Sequence, residues 1–170
     1  MPIAPNTYEA LEDAVLERLA ARFPHLRVER YPDNPEGYHL KHPKGALLTR
    51  YAGSRYGAPE SLGIIVQERR IDLEITLFLR SLHGKEGIGA VLEAVRRALT
   101  GFAPPAFGGL IPRADGFQGE GNGKWRYAMD FSTTTTVVQA GEPETGAPVT
   151  KITVKGGQNG DIAIQVPGPD

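Results

Sequence analysis

The chain contains no cysteine. That absence removes disulfides, thiolate metal ligands and cysteine nucleophiles together, and with them any signal of redox compartment. An excess of one charge is missing too, since 19 basic residues stand against 20 acidic ones for a net charge of −1. No global positive field therefore draws the chain onto nucleic acid or anionic lipid. No apolar run approaches the roughly 18 residues of a membrane-spanning helix. The opening Met1-Pro2-Ile3-Ala4-Pro5 lacks the basic and apolar regions of a secretory signal. Internal repeats and low-complexity runs are also missing. What is abundant is glycine and proline, 21 and 14 of 170 residues, which demands many turns or ordered loops. With 40% hydrophobic and 23% charged residues, the composition is that of a soluble globular chain, of a length for one domain with a tail or arm.

Two helices are predicted. Leu11, Ala14, Val15 and Leu19, with Phe23 beyond them, recur at three- and four-residue steps, the spacing of a core-facing helical stripe over Thr7–Arg22. Asn6 with Glu9 reads as its capping box, and Pro24 stops it. A second helix is expected over Glu86–Thr100, with Ile88, Val91, Leu92, Val95 and Leu99 on one face and Gly101 as the stop.

The strongest strand signal is Ile64–Ser81, where Ile71, Leu73, Ile75, Leu77 and Leu79 alternate with Asp72, Glu74 and Thr76. Fully extended it would reach roughly 50 Å, long for a small domain. Either it bends at a bulge, placed at Glu68-Arg69-Arg70, or one end projects as part of a hairpin. Leu26–Tyr31 and Ala46–Tyr51 read as short strands, and Ala52–Gly63 as a loop. Leu110–Gln118 and Trp125–Val138 flank a Gly119–Gly123 loop and read as a hairpin. The order is α-β-β-β-α-β-β, an α+β fold with an antiparallel or mixed sheet and two helices on one face. This domain is assigned to residues 1–139. Residues 140–170, with six Gly and four Pro among 31 residues, read as a linker and a β-hairpin arm whose alternating positions are Ile152, Val154, Ile162, Ile164 and Val166. A lone two-stranded hairpin is marginal in water, so the arm needs a surface to lie on.

No catalytic constellation assembles from the residues. His39 and His42 share a loop but have no carboxylate or thiolate partner at metal-ligand spacing. Asp72 and Glu74 stand about 6–7 Å apart on one strand face, a separation two-carboxylate hydrolases use; any solvated strand alternating acid and apolar residues produces the same spacing, so a solvated or subunit-facing role is the reading taken. Gly84-Lys85-Glu86-Gly87-Ile88-Gly89 fits neither phosphate-loop pattern and reads as a turn into a helix. Ser54 lacks the second glycine of a nucleophile elbow. Arg69-Arg70 interrupts a strand and reads as a partner contact, and Arg96-Arg97 as a solvated helix stripe. For Thr133–Thr136 no role beyond strand formation is visible.

Arg50-Tyr51-Ala52-Gly53-Ser54-Arg55-Tyr56, then Val66-Gln67-Glu68-Arg69-Arg70 entering the long strand, resembles the tail terminator family of Mu-like prophages. Arg80-Ser81-Leu82-His83-Gly84 leading into Leu92-Glu93-Ala94-Val95-Arg96, and Trp125-Arg126-Tyr127-Ala128-Met129-Asp130-Phe131 before the threonines, extend the resemblance over Glu9–Val138. It implies an α+β subunit of a hexameric ring that caps the tail tube, and the sheath if the tail contracts, and meets the neck or head-completion protein. It implies a virion-tail location after assembly in the bacterial cytoplasm, with no catalysis, cofactor, metal, membrane or sequence-specific nucleic acid. Interface residues are assigned on physical grounds to Ser54, Arg55, Tyr56, Glu68, Arg69, Arg70, Asp72 and Glu74, which are polar, turn-bounded and hard to place in a core. The arm after Ala140 is not part of the resemblance and is assigned to a neighbouring subunit or the sheath. The alternatives are a peptide- or ligand-binding module using the Tyr51–Gly63 loop, another neck or head–tail completion protein, and an enzyme acting through Asp72 and Glu74.

Overall fold

The alternation from Ile71 to Leu79 belongs to the central strand of a five-stranded sheet. A computed structural model describes residues 5–35, 38–60, 63–141, 151–154 and 162–165. In chain order they form α1 (Tyr8–Arg22), β1 (Arg27–Arg30), β2 (Gly45–Tyr56), β3 (Val66–Leu79), α2 (Ile88–Leu99), β4 (Ile111–Gly121), β5 (Lys124–Val138), β6 (Lys151–Val154) and β7 (Ile162–Gln165). The chain divides into one unit ending at Gln139 and another beginning at Ala140. The first is the predicted α+β arrangement, with spatial order β1-β2-β3-β5-β4. The β1–β2 pair is parallel and the other pairs are antiparallel, so the sheet is mixed.

Period-two alternation decides which side of the sheet is dry. Ile71, Leu73, Ile75, Leu77 and Leu79 of β3 are buried with Met129 and Phe131 of β5 against Leu11, Val15 and Leu19 of α1 and Ile88, Val91, Val95 and Leu99 of α2. Both helices thus close one face of the sheet. A smaller cluster lies at one end of the opposite face, where Leu40, Tyr31 and Tyr38 from the β1–β2 connection cover Ala46, Leu48 and Phe78. The rest of that second face is polar.

Several local expectations are corrected. Thr7, not Asn6, caps α1, its hydroxyl accepting from the Ala10 amide at 3.3 Å. Asn6 instead donates from its side-chain amide to the Thr136 carbonyl at 3.2 Å, which ties the start of the helix to the end of β5. β3 runs from Val66 to Leu79 without a bulge at Glu68–Arg70, in unbroken register with β5 from Val66↔Val138 to Leu79↔Trp125. β3 instead stays paired along its length, with β2 as far as Arg69 and with β5 as far as Val66. The bulge lies in β2, between Tyr51 and Gly53, where Gly53 takes φ +143°, a backbone state side chains rarely adopt. Past it the strand resumes, so Gly53–Tyr56 is strand rather than loop. The β4–β5 connection is also tighter than expected. Asn122 and Gly123, with φ of 54° and 69°, make a two-residue turn of the type that matches strand twist.

In the second unit, β6 pairs antiparallel with β7, Ile152 opposite Ile164 and Val154 opposite Ile162. Val166 lies outside the described residues.

Candidate functional site

The eight residues assigned to an interface lie along the second half of β2 and the first two thirds of β3, but the pleat divides them between two faces. On the helix side, Ser54 accepts from the Tyr51 hydroxyl and from Arg69 Nε, both at 2.9 Å. The Tyr51 ring stacks on Tyr8 with centroids 4.8 Å apart, and the Arg69 guanidinium sits 5.8 Å from the centre of the Tyr56 ring. Ser54, Tyr56 and Arg69 therefore form one aromatic and cationic ladder with Tyr51 and Tyr8, two tyrosines not among the residues assigned to an interface from the sequence.

The other face carries a charged lattice. Arg55 pairs with Asp72 at 2.8 Å and Arg50 with Glu74 at 2.6 Å. Glu74 also accepts from Thr76 Oγ1 at 2.9 Å. Arg70 stands opposite Arg55 in the register and Glu68 opposite Thr136. Each carboxylate of the Asp72/Glu74 pair is thus tied to an arginine, an arrangement that orders a sheet surface rather than preparing an acid and a base.

Register adds a third carboxylate. Asp130 of β5 lies directly opposite Glu74, and Ser132 opposite Asp72. Burial first, then Glu74, pushes the Asp130 carboxyl above the ordinary value. Among the described residues Asp130 makes no hydrogen bond or ion pair. Arg113, the extra residue at the β4 bulge between Pro112 and Ala114, donates to the Ser132 hydroxyl. Asp72, Glu74 and Asp130 line a shallow depression with Arg55 and Arg113. No signal in a single sequence pairs residue 74 with residue 130; that neighbourhood exists only once β3 and β5 are in register.

Near the Val66 end of the sheet Tyr56, Ile64, Ile65 and Val138 are each at least half exposed. The strand ends are fastened by backbone bonds, Gln139 N to Ile65 O at 2.7 Å and Glu60 N to Val66 O at 2.8 Å.

Other features singled out in the sequence have structural roles. His42 Nδ1 accepts from the Lys44 and Gly45 amides at 3.3 and 3.4 Å and shapes the turn into β2. Gly84–Gly87 forms the turn into α2. Thr133 and Thr135 donate to the Gly108 and Ala106 carbonyls at 2.6 and 2.7 Å, so the threonine run binds the Pro/Gly connection before β4.

Compared with known families, residues 15–156 match the Gp37 protein family. The match passes Gln139 and takes in β6, so the stretch set aside as lying beyond a resemblance falls in part within this family's extent. No curated protein matches the chain.

Proposed function

The chain belongs to the Gp37 protein family, a phage-related family, and from that premise we propose that it is the tail terminator subunit of a phage or phage-derived particle. Six copies form a ring on the last ring of the tail tube, stop its polymerisation and present a surface to the neck. The observation that carries this reading is the group of exposed apolar side chains at one end of the sheet, the tip formed by Tyr56, Ile64, Ile65 and Val138. An exposed patch of this kind on an ordered sheet end fits a stacking subunit. The tip meets the tube. The role is structural, without catalysis or a cofactor.

The β6–β7 hairpin is read as an arm that adds its strands to a neighbouring subunit, since two four-residue strands are too few to stand alone. The ligand-module reading is narrowed, because Tyr51–Tyr56 of the loop it used is strand and only the stretch after Tyr56 lies outside β2.

Light scattering across a concentration series, with and without tail tubes, tests the proposal. A six-fold mass, or a monomer that becomes hexameric on tubes, is expected. A monomer indifferent to tubes rejects it. Removing residues 140–170 should weaken ring formation; unchanged assembly would remove the arm from the account.

A further inference from the structure

The five-stranded sheet has two edges, β1 and β4, and they differ in what they offer a further strand. β1 has four residues, three of them charged. Its Glu29 is held by Arg27 at 2.7 Å and by the Tyr38 hydroxyl at 2.8 Å, and its Arg30 by Glu12 at 3.0 Å. Charge committed in this way guards an edge. β4 is longer, 11 residues from Ile111 to Gly121, and among the described residues it pairs only with β5. Pro112 and two bulges, one before Ala114 and one after Phe117, blunt its two ends. Between the bulges the register is regular, from Ala114 opposite Asp130 to Phe117 opposite Tyr127. Phe117 is 55% exposed on the helix side of the sheet, the side of Leu77 and Tyr127. Its ring lies 6.1 Å from Trp125 and 5.4 Å from Tyr127, two half-buried side chains packed against the main core. The core thus runs outward into an aromatic shelf that stops at an open edge.

We infer that the β4 edge receives β7 of a neighbouring copy. This contact rests on the reading of the β6–β7 hairpin as an arm on a neighbouring subunit, and it names the place where the arm docks. Length, charge and face all match. The uninterrupted stretch Ala114–Phe117 is as long as β7, which has 4 residues. β7 carries no charged residue, whereas β6 opens with Lys151, and a lysine on an edge strand resists further pairing. The hairpin register sets Ile152 opposite Ile164 and Val154 opposite Ile162, so these apolar residues share one face. Laid beside β4 with that face on the helix side, they prolong the shelf of Phe117, Trp125 and Tyr127 while main-chain bonds close the open edge. The donor and acceptor surfaces differ, so the contact repeats head to tail from copy to copy until rotation closes a ring.

Because the chain has no cysteine, an introduced pair reports alone. Position 163 alternates with the apolar face of the hairpin, so docking puts it on the sheet side that Ala114 and Gly116 share, opposite Asp130 and Ala128. A side chain at Gly116 meets nothing within 4 Å. Ala163→Cys is combined in the full-length chain with Ala114→Cys or Gly116→Cys, and separately with Arg27→Cys on the β1 edge. Mild oxidation, on tail tubes if the free protein is monomeric, is followed on non-reducing gels. A ladder of covalently linked copies is expected with at least one of the β4 substitutions and not with Arg27→Cys, since a disulfide needs close Cα atoms. Phe117→Lys added to the pair should remove most of that ladder, with circular dichroism showing that the variant is folded. Thiols that stay free, a link closed within one copy, an equal ladder through Arg27→Cys, or a folded Phe117→Lys variant that ladders unchanged each overturns the edge contact. The terminator reading is tested separately by the mass of the wild type. A six-fold mass without a ladder keeps the ring and discards this contact, and a monomer indifferent to tubes overturns both.

Discussion

Glu12 lies in the first half of α1, only 5% exposed. Its carboxylate accepts from Thr49 Oγ1 at 2.8 Å and from Arg30 Nε at 3.0 Å, joining the helix to β2 and β1. Glu12→Ala strips a buried hydroxyl of its acceptor, and a loss of about 1–3 kcal/mol is expected, read as a lower urea midpoint at unchanged slope; an unchanged midpoint would show that water replaces the carboxylate. Asp130 has the opposite sign. Its carboxyl is held high by burial and by Glu74, so ionising it costs more in the folded chain than in the unfolded one. It therefore lowers stability as pH rises through the folded value and has no effect below the unfolded value of about 3.9. Asp130→Asn is expected to melt higher than wild type at pH 7, with the gain gone near about pH 3. A gain equal at both pH values would mean that the effect is not ionisation.

At the scale of elements, α2 begins at Gly87 without a side-chain cap. By capping preference alone Gly87→Ser would add a few tenths of a kcal/mol. A Cβ at Gly87 would, however, lie 2.4 Å from the His83 carbonyl oxygen, a backbone atom of the preceding turn. Gly87→Ser is thus expected to lower the melting temperature, and a rise would show that the turn yields. The neighbouring elements follow the same logic of local pattern against tertiary constraint. α1, α2 and β3 are legible in the sequence because each has enough residues to display its period. The short strand read over Leu26–Tyr31 holds β1, but the second half of β2 is not legible. β2 is interrupted at Gly53, so the alternation slips by one residue at the point where it would have been recognised. The bulge restores the inward face, putting Ser54 opposite Ile71.

At the scale of the whole molecule, the described residues expose an apolar sheet end, which meets the tube in the proposed ring. Val138→Asp places a charge on the tip at a residue 57% exposed, so folding stability should change by no more than about 0.5 kcal/mol. Tube capping is expected to fail while lateral association persists, measured by tube length in electron micrographs and by mass. Tubes capped as in wild type would move the tube contact elsewhere.

The α+β order, both helical faces, the buried face of β3 and the polar character of the Glu68–Arg70 segment are readable from the chain alone. These follow from periodicity and side-chain chemistry, which are local. Folding in three dimensions was needed to set β1 parallel to β2, to send Asn6 to β5 and not to its own helix, to bind the threonines to Ala106 and Gly108, and to bring Asp130 beside Asp72 and Glu74. Each of these depends on strand register or on a contact across more than twenty residues, and a register is chosen by the burial of all its strands together. The residues assigned to an interface were grouped from the sequence because a polar run in a long strand resists placement in a core. Their division between two faces was not legible there, because a bulge in β2 and the pairing with β5 set which side each one takes.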